Sequence, residues 1–222
     1  MAIEHEVHRE RGVFGHRTPD HVANVLTGGY VGEGVGGLAC AVLCVLGLAE
    51  IVPGLMNSIA AIVAGATLAW IGGAVLSQFN KAVIGANFGS RLRIETGTLA
   101  LCVGGTAGIV LSILALLGIH AEVLTSITAI VYGAALLLGS YVACGIDIAV
   151  PRWKQRPIET FPGSRAAALG IGVLAGIGAA VLGILGLAGI AVATLNLVAI
   201  LSVGGALMLA GSVTSAEFVK ML

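Results

Sequence analysis

Apolar positions along this chain fall into six unbroken blocks, near residues 33–51, 55–78, 98–119, 123–146, 167–190 and 193–215. Each block has the length of a membrane-crossing helix, about 17–25 residues at 1.5 Å per residue. Strands of a membrane barrel alternate apolar and polar residues over about ten positions, whereas these blocks are continuously apolar and much longer. The pattern therefore predicts an all-α, polytopic membrane protein with six transmembrane helices.

The blocks pair. Residues 36–73, 104–141 and 175–212 superpose without gaps at shifts of 68 and 71. Leu46, Leu114 and Leu185 coincide, as do Ile51, Ile119 and Ile190, Gly65, Gly133 and Gly204, and Leu68, Leu136 and Leu207. Within each copy a short break separates two arms: 51–57 with Pro53-Gly54, 119–125, and 190–196. Pro-Gly is a strong turn signal, and the third break rests mainly on the repeat. Such breaks are too short to hold a domain, so each copy is read as an antiparallel hairpin. The expected organisation is a polar cytoplasmic segment over 1–30 and a single membrane domain over 31–222, with hairpins at 33–78, 98–146 and 167–215.

Composition agrees with burial in lipid: 58% of residues are hydrophobic and 10% charged, against about 25% charged in soluble domains. Eleven Lys and Arg balance eleven Asp and Glu, which speaks against nucleic acid as a partner, since that needs a basic footprint. The position of the cations carries more than their number. Arg9, Arg11 and Arg17 precede the first helix; Lys81, Arg91 and Arg93 lie between the first two hairpins; Arg152, Lys154, Arg156 and Arg165 lie between the last two; Lys220 follows the sixth helix. The hairpin tips carry no Lys or Arg. By the positive-inside rule both termini are expected in the cytoplasm. The polar N-terminal stretch lacks the apolar core of a cleaved signal peptide, so the first helix is expected to direct its own insertion.

Small residues recur at helical spacing on the first arm of every hairpin. Gly36, Cys40, Cys44 and Gly47 are superposed on Gly104, Gly108, Ser112 and Ala115, and on Ala175, Ala179, Gly183 and Gly186. Helices in lipid associate through close packing at such positions. The cysteines fill slots held elsewhere by Gly108 and Ser112, so they read as packing residues. The expectation is a pseudo-threefold bundle with the first arms meeting at its centre, and a homo-oligomer formed through a small-residue face that includes Gly172, Gly176 and Ala180. The alternative is that every stripe is consumed inside the monomer.

Candidate chemistry is sparse. Phe14-Gly15-His16-Arg17, Phe88-Gly89-Ser90-Arg91 and Phe161-Pro162-Gly163-Ser164-Arg165 each precede a hairpin and read as turns at the interface. Their arginines Arg17, Arg91 and Arg165, with Trp153 among the basic residues of the second connection, are candidate contacts to lipid headgroups. Glu33, Glu50, His120, Glu122 and Asp147 stand nearest the hydrocarbon. All five fall at expected helix ends, where water is near, and His120 with Glu122 is a candidate pH-sensing tip. The glycine-rich GVGG and GIGVLAG segments lack the strand and the Lys-Ser/Thr of a nucleotide loop. No residue set predicts a catalytic site, a metal site or a cofactor.

The pattern Val-Leu-x-x-Leu-x-Leu-x-x-Ile in 36–73, 104–141 and 175–212, followed by Ile-x-Ala-Ile-x-x-Gly-x-x-Leu in the first two copies and by Val198-Ala199-Ile200-Leu201 with Gly204 and Leu207 in the third, resembles the HdeD-like short-repeat membrane proteins of bacteria. Pro53 matches a proline frequent at such tips; Ala121 and Val192 replace it in the other copies. The resemblance implies a six-helix protein of the bacterial inner membrane and an association with stress, and transfers no functional residue. The expected function is non-enzymatic: a stress-related or scaffolding component. The alternatives are a channel or transporter for a small solute and an accessory subunit of a larger membrane complex.

Overall fold

The computed structural model describes the backbone of residues 19–82, 88–149 and 162–219, and the side chains of residues 32–74, 76, 96–140 and 170–212. Among the described residues six helices follow one another: α1 (Pro19–Leu48), α2 (Pro53–Ala82), α3 (Phe88–Leu116), α4 (Ala121–Ala149), α5 (Pro162–Leu187) and α6 (Val192–Val219). Five contain apolar windows long enough to cross a bilayer, and α1 contributes the shorter apolar run Gly32–Leu48. The outer faces carry large exposed aliphatic residues, among them Val42, Val110, Val181 and Leu174. A surface of that kind is stable only against lipid. The protein is a multi-pass helical membrane protein made of three hairpins.

The hairpin tips share one geometry. Glu50, Gly118 and Gly189 adopt φ of 63°, 81° and 80°, and Val52, His120 and Ala191 adopt 47°, 42° and 42°. The amides of Ile51, Ile119 and Ile190 reach back to the carbonyls of Leu46, Leu114 and Leu185 at 3.3–3.4 Å. The amides of Glu50, Gly118 and Gly189 donate to Gly47, Ala115 and Gly186. This is a Schellman closure, which satisfies the last carbonyls of a helix and favours glycine at its left-handed position. Even the weakly marked third break adopts it. Glu50 holds without glycine's freedom the place that Gly118 and Gly189 fill, and a left-handed non-glycine residue costs about 1–2 kcal/mol. Glu50→Gly is therefore expected to raise unfolding stability by roughly 1 kcal/mol, read as a shifted midpoint in denaturing-detergent titration.

The helices form a closed ring. Each packs on its neighbour in sequence, and α1 packs on α6. The second arms α2, α4 and α6 also touch one another in the middle, whereas among the described residues the first arms α1, α3 and α5 make no mutual contact. The expected centre of first arms is thus corrected: second arms form it. Burial agrees, with 44% of the apolar windows of α2, α4 and α6 inside the bundle against 28% and 22% for α3 and α5. The reason is that each first arm carries two adjacent small faces. Gly36 lies against Thr67 and Gly104 against Ala135, both on the second arm of the same hairpin. One residue further on, Gly37 meets Gly204, Gly105 meets Gly65 and Gly176 meets Gly133, on the second arm of the neighbouring hairpin. A helix wedged between two partners sits at the rim.

The small residues are consequently used within one chain. Cys40 and Cys44 are fully buried, and the Cys40 thiol points at the carbonyls of Ala60 and Ile200, 3.5 and 3.7 Å away. Gly108 faces Tyr132, Ser112 donates to Gly108 at 2.7 Å, Ala179 is buried, and Gly183 lies against Ser126 and Ile130. Ala175, at the next position of that stripe, is half-buried. Gly172 faces Ser140, and Gly176 and Ala180 meet Gly133, so the face expected to serve a homo-oligomer is occupied inside the monomer.

Two further expectations change. The helices run beyond their apolar blocks at the ends remote from the tips, because backbone hydrogen bonding continues through polar residues once the chain has left the hydrocarbon. The segment expected as polar over 1–30 is helical from Pro19. Phe88–Arg91 and Pro162–Arg165 belong to the first turns of α3 and α5 and are not turns between elements. The side chains of Arg91 and Arg165, with Arg17 and Trp153, lie outside the described residues.

Candidate functional site

The second arms stack side chains in layers along the axis of the bundle. Next to the tips, Asn57, Thr125 and Asn196, superposed by the repeat, are all buried. Asn196 donates through Nδ2 to Thr125 Oγ1 at 2.9 Å and to Ser126 Oγ at 3.0 Å, joining α6 to α4. Asn57 Oδ1 is buried without a hydrogen-bond partner. Below this layer lie Ala61, Ala129 and Ile200, then Ala64, Tyr132 and Val203. Tyr132 is fully buried, and its hydroxyl donates to the Ala61 carbonyl at 2.7 Å. Leu68, Leu136 and Leu207 follow and close the axis with aliphatic side chains.

Beyond the leucines, towards the end remote from the tips, the axis opens into a cavity of about 170 Å³. All six helices contribute to its wall, and the repeat is visible in it. Glu33, Leu101 and Gly172 hold one superposed position; Ile71, Gly139 and Ala210 hold another. The wall is aliphatic except for Glu33 and Ser140. Where α3 presents Leu101 and α5 presents Gly172, α1 presents a carboxylate. Glu33 is 8% exposed, and among the described residues nothing donates a hydrogen bond to it or forms an ion pair with it. An ionised carboxylate in such surroundings is costly unless a partner compensates it. Space is provided by glycine: a Cβ on Gly172 would stand 2.6 Å from Ser140 Oγ, and one on Gly139 would stand 3.0 Å from the Leu101 side chain.

Of the four titratable residues near the hydrocarbon whose side chains are described, Glu33 is the one whose placement departs from expectation. It was expected at a water-facing helix end; α1 starts at Pro19, so Glu33 lies well inside the helix and faces the axis. The signal was available, because Glu33 superposes on Leu101 and Gly172 three residues before the aligned core of the repeat. Glu50, His120 and Glu122 are exposed at tips, as expected, and no ion pair joins His120 to Glu122. The Asp147 side chain lies outside the described residues. Among the described residues no group of three His, Cys, Asp or Glu converges on a point.

The hydroxyls elsewhere in the core serve the helices themselves. Thr67, Ser112, Thr125, Ser126 and Thr128 each donate to the carbonyl four residues back, which hides their polarity inside lipid. Sequence reasoning counts Asn57 and Asn196 among the polar residues a conduit could use, but not their grouping with Thr125, although the alignment at 57, 125 and 196 marks it. Comparison of the chain with protein-family models, with curated proteins and with solved structures returns no match.

Proposed function

We propose that this is a non-enzymatic protein of the bacterial inner membrane that binds a small solute on the axis of its helix bundle, and so belongs functionally with small channels and transporters. The observation that carries this reading is the axial cavity with Glu33 in its wall. Intramembrane carboxylates are costly, and where they occur they mark ligand or ion pathways. The grouping of Lys and Arg away from the tips supports cytoplasmic termini, an orientation in which the cavity would lie in the cytoplasmic half. The resemblance to HdeD-like proteins supports the inner membrane and a role under stress. Lipid would cover the aliphatic exterior, and a homo-oligomer or a larger complex would form through that same exterior.

Reconstituted vesicles test the reading. Solute-dependent flux through the wild-type protein is expected. Cysteines introduced at Gly54, Glu122 or Ala193 should react with an impermeant thiol reagent from outside intact cells, and one at Gln155 should not. A second reading, a structural or scaffolding protein, draws on the aliphatic closure by Leu68, Leu136 and Leu207. Absence of flux for any solute small enough for the cavity would favour it, and co-purification of a fixed set of membrane partners would favour an accessory subunit.

A further inference from the structure

We propose that the axial cavity binds a small alkylammonium ion, with Glu33 as its counter-charge and Ser140 as a second hydrogen-bond partner. This rests on the solute-binding reading and names the chemical class of the solute. Three properties of the cavity select it. The first is size: about 170 Å³ is close to the roughly 150 Å³ of an apolar protein cavity that holds benzene, so the ligand has on the order of five or six heavy atoms. The second is the wall. Leu68, Leu101, Leu136 and Leu207 present aliphatic surface and match a hydrocarbon body.

The third property is the Glu33 carboxylate, which has no partner among the described residues. An anionic ligand would meet Glu33 with like charge. A neutral apolar ligand would bury the carboxylate further and leave it without a partner, which is the costly arrangement. A bare Ca²⁺ requires about six to eight oxygen ligands, and the wall offers one carboxylate and one hydroxyl. An ammonium head donates charge-assisted hydrogen bonds to a carboxylate, roughly twice as strong as neutral ones, and a hydroxyl oxygen can accept another of its N–H groups. The same ion supplies the charge that no described residue provides at this point and the apolar surface that the wall requires.

The test uses full-length protein in lipid nanodiscs and two probes of equal size, tert-butylammonium and tert-butanol, with binding measured by calorimetry. Ammonium binding at least tenfold tighter than alcohol binding is expected. E33Q should abolish that preference while unfolding at a temperature close to that of the wild type. G172L, which fills the cavity without altering its charge, should weaken both probes. Equal affinity for the two probes, or an unchanged preference in E33Q, would overturn the proposal. Binding of tert-butanol alone would overturn it while leaving a solute-binding cavity in place, and binding of neither would overturn both. Ammonium binding without flux in vesicles would support the ligand class and remove the transport reading. Should E33Q fail to fold, the selectivity of the wild-type protein between the two probes decides.

Discussion

Gly105→Ala and Gly176→Ala should each destabilise the bundle by about 3 kcal/mol, whereas Gly178→Ala should be neutral or stabilising by up to about 1 kcal/mol. The three sites are helical glycines of the rim, so helix propensity alone would improve all of them. Packing separates them. A Cβ on Gly105 would lie 2.7 Å from the Gly65 carbonyl oxygen, and one on Gly176 would lie 2.8 Å from that of Gly133. Those neighbours are main-chain atoms of an adjacent helix and cannot swing aside as a side chain would. Gly178 has nothing within 4 Å. Unfolding in mixed detergent micelles reads all three, and Gly176→Leu should abolish folding altogether. Equal effects at Gly176 and Gly178 would show that the close helix contact is not what the glycine serves.

These pairs show what the sequence could and could not disclose. The repeat and the small-residue stripes were legible, because both are matters of spacing along one chain. Which neighbour each stripe meets was not. Gly36 and Gly37 are adjacent in sequence, yet point to different helices, and a pattern read one stripe at a time does not distinguish a helix with one partner from a helix with two. The arrangement of second arms in the centre follows from that missing half. Apolar block lengths likewise report the thickness of the hydrocarbon and not the end of the helix, so α1 was expected to start near Glu33. That misplacement hid the most informative side chain in the molecule by assigning it to water. The tip geometry at 50–52, 118–120 and 189–191 was legible only as a break, since its left-handed residues are glycine at two positions and Glu50, Val52, His120 and Ala191 at the others.

Tyr132→Ala is the second substitution with a large expected effect, about 3–5 kcal/mol. Tyr132 is fully buried and stands where the other two hairpins place Ala64 and Val203. Gly65 and Gly108 make room for it: a Cβ on either would collide with the tyrosine hydroxyl or ring. Truncation would leave a void bounded by glycines, which have no side chains to move into it. Tyr132→Phe keeps the ring and forfeits only the 2.7 Å bond to the Ala61 carbonyl, for a loss of about 1 kcal/mol. Unfolding titrations of the two variants separate ring from hydroxyl. A phenylalanine variant as unstable as the alanine one would mean that the link between α4 and α2 matters more than the volume.

The contact of Gly37 with Gly204 has a consequence for how the molecule is made. Helices leave the ribosome and enter the bilayer in order, and the pairs Gly65–Gly105 and Gly133–Gly176 can each form as soon as the next hairpin arrives. The remaining pair joins α1 to α6. Until α6 has been inserted, the Gly37 face of α1 lacks this partner and lies open to lipid or to a neighbouring nascent chain. Insertion of α6 is therefore the step that closes the ring, and a chain that stops short of α6 is left with an adhesive seam along α1.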